Sequence, residues 1–178
     1  GKLTMDDPPV GPLDAITKGT LAGINLLTAI VAMLIVAIAL VTLVNMGIGH
    51  LPLGDGEAMS LQRLFAYAFR PIVWAMGIPW PETGVAASLM ATKTVLNEFV
   101  AFLDLGRLDP SALAPKSRLI MTYALCGFAN FGSVGILVGG LGAMVPTDRR
   151  HEVVALGMRS LVSGTLATCM SGAVIGML

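Results

Sequence analysis

Hydrophobic and polar positions divide the 178-residue chain into five apolar segments separated by short charged ones. Residues 19–54 contain no Asp, Glu, Lys or Arg, and between Leu26 and Val44 only Thr28 and Thr42 interrupt the apolar run. A run of this length predicts a membrane-spanning helix. At about 1.5 Å per residue, 36 residues reach about 54 Å against a hydrocarbon core of about 30 Å, so the helix must tilt or continue past the bilayer. Asp14 and Lys18, four apart, fall on one face of its first turns, and the run from Gly47 to Pro52 ends it.

From Ser60 onward, Leu61, Leu64, Phe65, Ala68 and Ile72 share one face, with Gln62 and Arg63 off it and a stop at Pro71 after Arg70. This periodicity fits an amphipathic helix over 59–76 lying in the membrane interface, with Trp74 and Trp80 following at headgroup-type positions; an ordinary buried helix is the alternative. Residues 83–103 pass a crude test for a span, yet Lys93, Asn97 and Glu98 sit in their middle. An ionised side chain at mid-helix carries an insertion cost of about 2.5–3.5 kcal/mol, so such residues face a bundle interior or a wet cavity. The segment therefore reads as one crossing or as a re-entrant hairpin over 82–106, with its tip at Asn97 and Glu98.

Residues 119–147 are uncharged, but Gly127-Phe128-Ala129-Asn130-Phe131-Gly132-Ser133 interrupts them. Each glycine loses about 1 kcal/mol against alanine in a helix, and an Asn amide in hydrocarbon needs partners, so the segment over 117–146 reads as a broken helix. A break frees carbonyls on one side and amides on the other, which is how half-helices build a site at the membrane midplane. The last helix is expected over 150–178. Its apolar part begins at Ser160 and carries Gly164, Thr168, Gly172 and Gly176 at spacings of four, a packing stripe. Residues 104–118 and 146–159 hold charged positions and read as loops, the second with a short helix start.

Composition agrees with a membrane protein. Eleven basic and eleven acidic residues cancel, charged residues are 12% of the chain, hydrophobic ones 55%, and mean hydropathy is +0.81. No basic stripe for nucleic acid exists, and hydrophobicity is too high for disorder. Cys126 and Cys169 lie inside apolar segments as small hydrophobes, so no disulfide scaffold is expected. No signal peptide is read at the start, and the chain looks like a piece of a longer protein. Apart from Lys93, Lys and Arg divide five and five between the two sides if the hairpin returns to its origin, which leaves orientation open. His50 and His151 read as surface residues without a partner at ligand spacing, and no metal site is expected in this half.

The candidate site gathers Asn97 and Glu98 at the hairpin tip with Asn130 and Ser133 at the helix break, flanked by Phe128 and Phe131. A carboxylate accepts two hydrogen bonds and matches a vicinal diol, an amide both donates and accepts, and an aromatic face covers a flat moiety. Ribose with a base is such a solute. The alternative is that these polar groups only hold the helices together. Lys93 either reaches toward the interface, neutralises Glu98 or touches substrate. An intramembrane hydrolase built on Ser133 and His151 lacks an orienting acid, so no enzyme is expected.

Ala91-Thr92-Lys93-Thr94-Val95-Leu96-Asn97-Glu98-Phe99-Val100-Ala101, followed by Phe102, resembles the signature of the concentrative nucleoside transporters at every fixed position. Cys126-Gly127-Phe128-Ala129-Asn130-Phe131 and the Arg149-Arg150 pair are similar to that family too, and the resemblance runs from Pro12 to Leu178; Gly132 departs, where many members carry Ser. The resemblance implies an all-α, multi-pass protein of the plasma (inner) membrane. It implies a homotrimeric symporter that imports nucleosides on a sodium or proton gradient, with no other cofactor. Glu98 and Asn130 would bind ribose hydroxyls, Ser133 would add a polar contact, and Phe128 would pack on the nucleoside. It further implies that residues 1–54 supply a scaffold helix from about Asp14 to Asn45, and that 55–178 form one repeat of an inverted-repeat transport domain. The missing N-terminal half would supply the base-reading hairpin and the sodium ligands. A non-transporting helical bundle subunit is the rival reading.

Overall fold

The computed structural model describes residues 8–50, 58–145 and 147–178. Seven α-helices carry the chain: α1 (Pro12–Ile48), α2 (Leu61–Ala75), α3 (Thr83–Val95), α4 (Glu98–Arg107), α5 (Pro115–Leu125), α6 (Phe131–Met144) and α7 (Arg150–Met177), with 3-10 turns before α3 and α7. The expected division at residues 54 and 55, and Pro52 as a stop, lie outside the described residues. Among the described residues two helices, α1 and α7, are long and apolar enough to cross a membrane.

In α1 the apolar residues point in all directions, so no single face can turn inward, and Leu21, Ile35 and Leu43 are more than half exposed. Its threonines do not break it: the hydroxyls of Thr17, Thr20, Thr28 and Thr42 donate to carbonyls four residues back at 2.8–2.9 Å. In hydrocarbon this leaves no hydroxyl proton without an acceptor. Asp14 and Lys18 pair at 3.2 Å in the first turns. At the far end α1 stops at Ile48, where Asn45 clasps the start of α2. Its Oδ1 accepts from Leu61 N at 2.8 Å and its Nδ2 donates to Gln62 Oε1 at 3.0 Å.

Helices α2, α3, α4, α5 and α7 share one core, built from Val73, Met76, Ala86, Met90, Ile120, Met121, Leu125 and Cys169 among others, and α6 packs on α7 beside it. The short helix α3 lies at its centre, buried along almost its whole length from Ala86 to Val95. It is flanked by α2 and α4, while α5 packs along α7; α1 touches this body mainly through α6.

Three expectations need correction. The α2 helix passes straight through Pro71, because Phe69 and Val73 on either side are buried and hold the backbone in register. The loop after the hairpin is shorter than 104–118, since α4 continues to Arg107 and α5 starts at Pro115. Arg118 closes the open end of α4 by donating to Leu105 O at 3.2 Å and Leu108 O at 3.3 Å. The segment 146–159, read as a loop with a short helix start, is helix from Arg150 onward, in keeping with the last helix expected over 150–178, its first turn steadied by an Arg149–Glu152 ion pair at 2.7 Å. His151 thus lies in a helical first turn, its Nδ1 2.8 Å from Asp148 O.

The small-residue stripe of α7 works by absence of side chains. A β-carbon on Gly172 would stand 2.6 Å from Met76 Cε and 3.1 Å from Ala124 Cβ; one on Gly176 would stand 2.5 Å from Met76 O. We therefore expect Gly172→Leu to lower the Tm of the detergent-solubilised full-length protein, with an overpacking cost of about 1–3 kcal/mol, read in a thermal-shift assay.

Candidate functional site

Two backbone breaks lie side by side in sequence logic and in space. Between α3 and α4 the chain opens at Leu96 and Asn97; between α5 and α6 it opens over 126–130. In each case the restarting helix has an Asn at its N-cap in extended backbone. Asn97 Oδ1 accepts from Val100 N at 2.9 Å, and Asn130 Oδ1 accepts from Ser133 N at 2.7 Å. Each cap satisfies one of the amides that a helix start leaves open, a need that becomes acute away from water.

The second cap is reciprocal. Ser133 Oγ accepts from Asn130 N at 3.1 Å and lies 2.7 Å from Asn130 O, its proton's acceptor, so Asn130 and Ser133 form a capping box. Ser133 is 2% exposed, its hydroxyl occupied within its own turn. Asn130, 1% exposed, has its amide nitrogen left over, and this donates to Glu98 Oε2 at 2.9 Å. Glu98 is the first residue of α4 and is partly exposed. Its carboxylate therefore sits in the first turn of one helix and is hydrogen-bonded to the cap of another. Both helix starts carry partial positive charge, which stabilises an anion between them.

The structure thus brings Glu98, Asn130, Ser133 and Asn97 to the two breaks. Asn97 is buried and serves α4 as its cap. Phe128 projects from the second break with 55% of its surface exposed, whereas Phe131 turns away and meets Phe65 edge-to-face with centroids 5.9 Å apart. Beside them an apolar cavity of about 410 Å³ opens between α1, α2 and the start of α6, lined by Val36, Leu40, Phe65, Val95, Phe131 and Gly132. A β-carbon on Gly132 would come within 3.3 Å of Asn130 Oδ1, so the glycine leaves the cap amide uncrowded.

Lys93 turns into the bundle rather than toward the interface. It is fully buried, and its ammonium donates to Ala124 O at 2.8 Å and to Thr168 Oγ1 at 2.9 Å. The stripe residue Thr168 therefore does more than pack. The signal available in the sequence was the lack of any basic residue in the last turn of α5, whose carbonyls must find a donor elsewhere. Ser133 and His151 are not hydrogen-bonded to each other, since each ring or hydroxyl has a backbone partner nearby.

Residues 3–176 match the family described as Na+ dependent nucleoside transporter C-terminus. The chain belongs to that family. It is 36% identical over 94% of its length to the nucleoside permease NupC of Helicobacter pylori, covering 41% of that protein. It is 33% identical over 99% of its length to sodium/nucleoside cotransporter 1 of Rattus norvegicus, covering 29% of it. Among solved structures, CNTnw in an inward-facing substrate-bound state superposes with a TM-score of 0.78 at 36% identity, over 99% of this chain and 44% of that one. A CNTnw variant in an intermediate state gives a TM-score of 0.87 at the same identity, 36%, again over 99% and 44%. The chain therefore spans less than half the length of these relatives.

Asn97→Ala is expected to destabilise the hairpin tip by about 0.5–2 kcal/mol, the usual loss for a missing N-cap. Asn97→Ser, which keeps an acceptor, is expected to stay near wild type. Hydrogen exchange at the amides of Val100 and its neighbours in the full-length protein reads the difference.

Proposed function

We propose that this chain is the C-terminal half of a cation-coupled nucleoside symporter, driven by Na+ or H+, that imports nucleosides across the plasma (inner) membrane as a multi-pass homotrimer. The single observation that supports it most is the Glu98–Asn130 contact at the meeting of two helix starts, within a chain whose relatives carry nucleoside permease and cotransporter names. The carboxylate takes the two hydroxyls of a ribose as acceptor, and the Asn130 amide donates to one of their oxygens. To do so, Asn130 exchanges its bond to Glu98 for one to the sugar, so an internal hydrogen bond holds both groups ready in the absence of substrate. Phe128 covers the nucleoside from the break, while Ser133 and Asn97 act chiefly by holding the two helix starts rigid.

The same reading gives the helices their parts. α1, which meets the body mainly through α6, is the scaffold; α2 lies along the membrane interface; α3 and α4 form the re-entrant hairpin; α5 and α6 form the broken helix. Neither arm of the hairpin spans a bilayer, and the side chains buried along α3 supply the protein surroundings that a re-entrant backbone requires. The missing half contributes the coupling-ion ligands and the face that reads the base. The nucleoside permease and cotransporter names of the relatives favour this reading over a non-transporting bundle subunit.

Uridine uptake by proteoliposomes containing the full-length protein tests the proposal. Glu98→Ala is expected to abolish uptake while trimer formation and membrane insertion stay normal. Glu98→Gln is expected to weaken uridine binding about tenfold to a hundredfold, in line with about 1.5–3 kcal/mol for a charged hydrogen bond. Unchanged uptake kinetics in both variants would remove Glu98 from the site.

A further inference from the structure

Lys93 lies in the last turn of α3, with none of its surface exposed. An ammonium in such a place is costly unless something of opposite sign meets it. What meets it is a helix end and a hydroxyl. α5 presents Ala124 O, 2.8 Å from the ammonium. That end carries partial negative charge, and α5 has no basic residue of its own in its last turn. The second contact, Thr168 Oγ1 at 2.9 Å, comes from α7, and that hydroxyl is free to accept because its proton is given to Thr165 O at 2.9 Å.

Gly127 makes the meeting possible. A methyl at that position would collide with the Thr168 side chain and stand 3.5 Å from Lys93 Nζ. Lys93 thus ties the end of α3 to the end of α5 on one side of the two breaks, while the Glu98–Asn130 bond ties the start of α4 to the start of α6 on the other.

We propose that Lys93 is a positioning residue, a resident cation built into the helix break, and that by joining α3, α5 and α7 it holds Glu98 and Asn130 at the separation the nucleoside needs. The substrate in this statement rests on the function proposed above; the positioning role does not. In the full-length protein, Lys93→Ala is expected to weaken uridine binding about tenfold, or about 1.4 kcal/mol. It is also expected to speed the alkylation of Cys126, whose thiol is exposed at the break, as followed peptide by peptide. Propylammonium, which returns a cation to the vacated space, is expected to reverse both effects, and propanol neither.

A folded Lys93→Ala protein with unchanged uridine affinity and Cys126 labelling overturns the proposal. So does failure of propylammonium to reverse either readout, or equal recovery with propanol, which would mark a packing role. If Lys93→Ala does not fold, Thr168→Val decides the matter. It keeps the side chain's shape and removes one acceptor of the ammonium, and it is expected to fold, label faster at Cys126 and bind uridine about threefold more weakly; wild-type values for labelling and binding overturn the proposal. A wild-type protein that binds no nucleoside defeats the substrate reading alone, and Cys126 labelling still decides the role of Lys93.

Discussion

The structure depends on how two interrupted helices share their ends. Breaking a helix in hydrocarbon exposes carbonyls on one side and amides on the other, and each must find a partner of opposite character. Here the carbonyl end of α5 meets the ammonium of Lys93, which stands in the last turn of α3, and the Asn that caps α6 donates its side-chain amide to Glu98, the first residue of α4. Each of the two groups thus joins one broken element to the other. Among the described residues no buried side-chain nitrogen or oxygen lacks a hydrogen-bond partner.

Small residues make this arrangement compact. Gly127, Gly172 and Gly176 bring backbone or short side chains of α5, α7 and the turn after α2 into contact, so the polar groups at the breaks are enclosed by close-packed apolar walls. Enclosure strengthens every electrostatic contact inside it and makes an unmet group expensive. The asparagines at 97 and 130 answer that demand for the amides, and Lys93 answers it for a carbonyl.

Much of this was legible in the sequence. An Asn-Glu pair in the middle of an apolar run, and an Asn between two glycines, are conflicts with helix that only a break resolves, and both breaks occur there. The long apolar rod of α1 was equally plain from the absence of charge. What pattern alone does not reveal is long-range: Lys93 finds partners 31 and 75 positions away, and no local periodicity encodes such a pairing. The Ser133 cap had a local signature, Asn followed three positions later by Ser, but a polar side chain near a presumed site reads first as a ligand contact. Pro71 misled because a proline's local cost is smaller than the burial of Phe69 and Val73 around it.

The attachment of α1 carries a mechanical consequence. Among the described residues, its side-chain hydrogen bonds to the body include the two made by Asn45 at one end, to Leu61 and Gln62; farther along, Met33 meets α6 at Gly135 through apolar surface. Apolar contact has no preferred angle and loses little when it slides, whereas the clasp at Asn45 resists separation. The rod is thus pinned at Asn45, and a change in its inclination would shear the greasy surface between Met33 and α6 while that clasp holds.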